Sequence, residues 1–284
     1  MGGSHRSLLG YRGICYTANI IMSEIPNITI ESSQKPELER LDVVIDLFRH
    51  GKALYSLDFK RDVEQMGYRF ENCFKDSEVV DDNDLEHGRY EGEITPEGEA
   101  ELRRTIRKII GDSHTEEEKI LAFYSERERA THTTRIIIDE LSRNNVNVES
   151  IKQKDLPDLK DIRMQVIDLM KYVKSKDPDS VEPWTYWSHM DRKELEDNHL
   201  EGMEHIKKRM FHFLRVMEKY ARRYNDQIMG AGFKKLRVIA VTHDVNILSL
   251  LSKFGISKEN IKTGGFFELT KDGKGNFQPM PSTQ

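Results

Sequence analysis

Residues 41–48 (LDVVIDLF) form a near-continuous apolar run, β-branched in part, which predicts a strand buried on both faces. Residues 120–124 (ILAFY) and 236–241 (LRVIAV) repeat that pattern, 146–151 predict another strand, and 266–270 a short closing one. Between these runs the apolar period changes to that of a helix. Residues 102–110 are amphipathic at helical spacing, and Thr95-Pro96-Glu97 ahead of them supplies a cap with proline in the first turn. A second helix is predicted through Ile136, Ile137 and Leu141, and another over 245–253. From Met203 to about Tyr224, the residues Ile206, Met210, Phe213, Leu214 and Met217 mark a core-facing helical stripe.

Strands alternating with helices predict an α/β domain with a largely parallel sheet. Three of the buried strands run directly into polar residues capable of chemistry: Arg49-His50, Ser125 with Arg129, and His243. Ligands of open α/β sheets bind at the carboxyl ends of the strands, so residues about two hundred positions apart are expected to meet in one crevice.

Composition narrows the function classes. The chain has 284 residues, of which 37% are hydrophobic and 33% charged, with a net charge of -5. Its 44 basic residues are interspersed with 49 acidic ones, and no basic stripe points to nucleic acid. No apolar run reaches membrane-spanning length. The two cysteines, Cys15 and Cys73, have neither metal-ligand nor disulfide spacing, which suits a reducing compartment, so a cytoplasmic location is expected. Residues 1–38 read as a flexible extension, with 1–21 dispensable and initiation at Met22, and 39–284 as the folded domain.

Imidazole is the common side chain that is both nucleophilic and unprotonated near neutral pH. Guanidinium forks suit phosphoryl oxygens, matching them two at a time and staying charged. A leaving oxygen needs a proton, usually from a carboxylic acid. His50, Arg49, Arg129 and His243 meet the first two requirements of phosphoryl transfer.

The same residues carry a resemblance. Arg49-His50-Gly51 after a buried strand resembles the signature of the histidine phosphatase superfamily, the phosphoglycerate-mutase-like proteins. Thr95-Pro96-Glu97-Gly98 resembles its helix start, and the segment from Ser125 to Thr133 its S-x-x-x-R-A-x-x-T motif. Val241-Thr242-His243 resembles the last strand with its second histidine, followed by Gly264-Gly265. These motifs occur in the family's order over about 42–270. The resemblance implies a three-layer sandwich around the parallel sheet, with His50 taking the phosphoryl group. Arg49 and Arg129 would clamp that group and His243 donate to its oxygens, with no metal or cofactor.

For the proton donor the resemblance points to Asp161, with Asp158 and Asp244 as rivals. Lys52-Ala53 follows the first motif, as in bacterial phosphohistidine phosphatases rather than mutases. The segment of about 52–94, rich in aromatics and ending near the acidic run 81–84, is expected to form a cap over the site. The implied activity is a phosphatase acting on a phosphorylated small molecule or phosphoprotein. The alternatives are a mutase-type phosphoryl transferase and a non-catalytic binder of phosphorylated ligands.

Overall fold

The computed structural model describes residues 41–75, 77–81, 91–112, 117–146, 148–151, 156–161, 166–256, 261–271 and 276–280. The expected extension 1–38, Cys15, His87, His114 and residues 82–84 of the acidic run lie outside the described residues.

In chain order, β1 (Asp42–Arg49) leads into β2 (Ala53–Ser56), α1 (Leu57–Gln65), α2 (Phe70–Cys73), β3 (Ser77–Val80) and β4 (Glu91–Ile94). Next come α3 (Pro96–Asp112), β5 (Glu118–Tyr124), α4 (Glu128–Arg143), β6 (Val148–Ile151), α5 (Val166–Lys176), α6 (Pro183–His189) and α7 (Arg192–Asp197). The chain continues through α8 (Met203–Gly230), β7 (Lys235–Thr242), α9 (Asp244–Leu251), β8 (Phe266–Lys271) and β9 (Phe277–Pro279).

The main sheet has the order β6-β5-β7-β1-β8-β9, with the first four strands parallel, β8 antiparallel to β1, and β9 antiparallel to β8. Alternation along the strands sends side chains to two separate cores. Val43, Ile45, Leu47, Leu121, Phe123, Leu236, Val238 and Ala240 face the side covered by α8 and α9. Phe48, Ile120, Ile239 and Val241 face α3 and α4, where Leu102, Ile106, Ile137 and Leu141 close the second core. This is a three-layer α/β sandwich. The helical stripe expected in α8 is buried as its period requires, from Ile206 to Met217.

The α3/α4 face also buries charge. Asp46, 0% exposed, bonds Arg237 Nη1 at 2.8 Å, and Glu118 accepts from Arg237 Nε at 2.7 Å. Glu268 reaches the same guanidinium at 3.2 Å, and Lys235 binds Glu118 at 2.8 Å. Burial pushes the Asp46 carboxyl up to about 6, against the opposing pull of Arg237.

Between β1 and α3 the chain builds a second, three-stranded sheet in the order β3-β2-β4. Its core is aromatic: Phe70 stacks on Phe74 at 5.0 Å, and Tyr55 stacks on Phe59 at 5.3 Å. Tyr68 Oη donates to Met170 O in α5, and Trp184 of α6 donates from Nε1 to Cys73 O. The segment enters and leaves at one point, where Thr95 N donates to Lys52 O at 2.8 Å.

Candidate active site

β1 and β7 pair in parallel along their whole length, with Arg49 opposite Thr242, so His50 and His243 emerge side by side at the carboxyl edge. Their rings are 5.3 Å apart. β5 pairs with β7 on the other side and places Ser125 in the same row, with Ser125 N donating to Val241 O. The next turn and the start of α4 then bring in Arg127 and Arg129.

His50 is 8% exposed and held from several directions. Its backbone N donates to Thr242 O at 3.2 Å, and its carbonyl accepts from Gly264 N at 3.1 Å. Gly264 has φ +71, a left-handed conformation that costs glycine little, and this lets the loop before β8 turn its N–H onto the histidine. The ring Nδ1 lies 2.8 Å from Gly51 O, which requires a proton on Nδ1, because a carbonyl can only accept. Nε2 receives Arg129 Nε at 3.0 Å and therefore presents a lone pair. Burial, followed by the charges of Arg129 and His243, holds the imidazole well below its ordinary pKa, so it stays neutral.

Arg129, also buried, joins the expected site residues. Besides His50, its Nη2 reaches Asp161 Oδ2 at 3.1 Å and His243 Nδ1 at 3.4 Å. His243, 2% exposed, has Nε2 2.8 Å from Ser125 Oγ. Burial first, then Arg129 and Arg127, hold it well below the ordinary histidine value as well. Arg49 donates from Nη1 to Ile261 O at 2.8 Å, and its Nη2 lies 3.6 Å from Asp244 Oδ2.

The three acid candidates separate clearly. Asp161 faces the site, with Oδ2 also 3.3 Å from Arg127 Nε and 3.9 Å from His243 Nδ1. Asp244 sits beside Arg49 and is half exposed. Asp158 turns the other way and bonds His212 Nδ1 on α8 at 2.7 Å, so the fold does not bring it to His50.

Two features went unread in the sequence. Arg127 looks like one of two alternate charges on a helix start, but its side chain reaches Asp161. Thr133, from the motif of α4, accepts from Gly51 N at 3.0 Å and donates to Arg129 O at 2.7 Å, linking the two ends of the site. A buried pair of neutral imidazoles edged by guanidinium groups is suited to an anion with tetrahedral oxygens.

No protein-family model matches the chain, and no curated protein does. Among solved structures, it is similar to phosphoglycerate mutase from Bacillus anthracis str. Sterne, with a TM-score of 0.51 at 13% identity, over 87% of this chain and 95% of that one. Weaker likenesses include the alpha-ribazole phosphatase of Shigella flexneri, with a TM-score of 0.46, 17% identity, and 84% and 96% of the two chains covered. A mycobacterial glucosyl-3-phosphoglycerate phosphatase gives a TM-score of 0.47 at 11% identity, over 84% and 96%. The sheet order, the two helical layers and the first of these likenesses agree: the chain has the phosphoglycerate mutase fold.

Proposed function

We propose that this protein is a phosphatase that hydrolyses a phosphomonoester or phosphoprotein through a phosphohistidine on His50. The observation that carries the reading is one buried, neutral imidazole with Nδ1 tied to Gly51 O and Nε2 directed at a guanidinium. The arriving phosphoryl group draws Arg129 Nε away from Nε2, the freed lone pair attacks phosphorus in line with the ester oxygen, the N–P bond forms, and the P–O bond breaks. Arg49, Arg129 and His243 hold the phosphoryl oxygens, where negative charge spreads in the transition state. The arriving phosphoryl group competes for the guanidinium groups that bind Asp161. Asp161 in its acid form passes a proton to the leaving alcohol. As a carboxylate it then takes a proton from the water that attacks phospho-His50, releasing orthophosphate.

His50→Ala is expected to abolish turnover while the folded protein persists, because His50 ends a strand rather than filling a core. Wild-type protein quenched during turnover of a phosphorus-labelled substrate should carry the label in an acid-labile, base-stable form. Wild-type rates from a folded His50→Ala protein would end the reading. Arg127 supplies a second guanidinium at Asp161, beside that of Arg129, and favours one second reading, a mutase that returns the phosphoryl group to a substrate bearing another anionic group. Product analysis separates the two, since a mutase yields an isomeric phosphate and little orthophosphate.

A further inference from the structure

Asp161 stands on a segment with little structure of its own, a single 3-10 turn at Pro157–Leu159 followed by irregular backbone. A proton donor must nevertheless sit within hydrogen-bond reach of the leaving oxygen. The backbone just before Asp161 is held by side chains from three other elements. Arg209 of α8 donates from Nη1 to Asp158 O at 2.9 Å and to Lys160 O at 2.6 Å. Asn246, in the first turn of α9, donates from Nδ2 to Lys160 O at 2.9 Å. Thr242, at the end of β7, donates from Oγ1 to Leu159 O at 3.0 Å. The carbonyls of residues 158, 159 and 160 are thus all claimed, and two of the claimants flank His243.

Arg209 is itself fixed. Its Nε and Nη2 fork onto the two oxygens of Glu201 at 3.0 and 2.9 Å, and both side chains are almost fully buried. A buried ion pair is a poor device for stability, because apolar residues of similar volume commonly do as well or better. Its value lies in geometry, since a planar fork fixes two directions at once.

We infer that Arg209, braced by Glu201, and Asn246 are positioning residues for Asp161, locking the proton donor and His243 into one rigid unit. The inference rests on the assignment of Asp161 as donor under the proposed function. It goes beyond that assignment by naming residues that touch neither substrate nor phosphoryl group and still set how well a poor leaving group departs.

The test compares kcat/KM, which reports formation of phospho-His50 and not its hydrolysis, for β-glycerophosphate, an alkyl ester needing a proton, and for p-nitrophenyl phosphate, whose phenolate departs without one. Asp161→Asn is expected to lower the alkyl-to-aryl rate ratio about a hundredfold, the usual scale of general acid catalysis. Arg209→Met and Asn246→Leu should each lower the same ratio about tenfold or more, since a displacement of an ångström is enough to impair a catalytic group. Arg209→Lys, which keeps one carbonyl contact but loses the fork, should recover part of it. Equal losses on both substrates would reduce these residues to structural supports and overturn the inference. So would an unchanged ratio in folded Arg209→Met and Asn246→Leu when Asp161→Asn shows its loss. If Arg209→Met does not fold, Asn246→Leu and Arg209→Lys decide by the same ratio. An unchanged ratio in Asp161→Asn is a different failure: it removes the donor assignment, and the positioning role with it.

Discussion

Arg237 on β7 and Arg129 in the first turn of α4 are both buried guanidinium groups, and their surroundings differ in kind. Arg237 meets Asp46, Glu118 and Glu268, with Lys235 sharing Glu118, so anions match or exceed cations in a cluster whose centre is buried and whose edge, at Lys235 and Glu268, is partly exposed. At the carboxyl edge, Arg129 and Arg127 share Asp161, and Arg49 faces Asp244. Neutral imidazoles take the remaining positions. Burial of arginine therefore does not mark a site by itself; what sets Arg129 apart is its direct contact with two imidazoles at strand ends.

Replacing each guanidinium by methionine should break the contrast most sharply. Arg129→Met is expected to lower kcat/KM by about 10³-fold, the loss associated with removing one transition-state donor. Its effect on unfolding free energy should stay within about 1 kcal/mol. Arg237→Met leaves Asp46, Glu118 and Glu268 facing one another without their cation. Urea denaturation should show a loss of about 3–5 kcal/mol, while kcat per folded molecule is unchanged. Similar losses of activity in both variants would erase the distinction.

The two regions should also respond to pH with opposite sign. The Asp46 carboxyl rises from 3.8 to about 6 in the folded state, so the native protein holds that proton more tightly. Its contribution is complete below the unfolded value and is lost as pH climbs through 6, by up to about 3 kcal/mol. His50 and His243 are held below 6.5, so stability falls as acid protonates them in the unfolded chain first. Asp46→Asn should flatten the stability slope between about pH 4 and pH 6. The acid limb of kcat/KM should fall below the ordinary histidine pKa, and a limb at 6.5 or above would contradict the neutral-imidazole geometry.

Vanadate or tungstate should distinguish the regions by binding. Either ion at millimolar level is expected to inhibit competitively and to raise Tm by roughly 2–4 °C per kcal/mol of binding. The shift should vanish in Arg129→Met and persist in any Arg237 variant that folds. The smallest expected effect is none at all: EDTA should leave turnover unchanged, and a loss reversed by a divalent ion would overturn this. No group of three or more metal-ligating side chains lies close together among the described residues.

The strands and long helices were legible because burial imposes a period on them. β1, β5 and β7 are buried on both faces, and α8 buries one stripe, so each leaves a clear signature in the sequence. The elements between β1 and α3 are short, and what holds them is aromatic packing among Tyr55, Phe59, Phe70 and Phe74, which has no fixed period. α6 and α7 are also short, at seven and six residues, and α7 buries none of its side chains, so neither shows a period. The motif residues converged as their strand ends implied. The choice between Asp158 and Asp161 could not be read, because the 3-10 turn sends one carboxylate to His212 and the other to Arg129. Asp46 was hidden too, since one aspartate in an apolar run looks like a strand-end charge until Arg237 is seen beside it. Arg209 looks like any helix charge, because its partners lie on a segment with no pattern of its own.

The hydrogen bond from Thr95 N to Lys52 O has a further consequence. Everything between those residues departs from and rejoins the main sheet through a doorway one hydrogen bond wide. A methyl group on Gly51 would come within 2.7 Å of Ile94, so the two stems are pressed together there. Recombination at this pair of adjacent points would exchange the whole forty-odd-residue segment as a cassette, and a replacement must also dock on α5 and α6, as Tyr68 does on Met170 and Cys73 on Trp184. A library of foreign segments spliced between Lys52 and Thr95 would thus vary this part of the molecule while the strand ends that carry His50 and His243 keep their sequence.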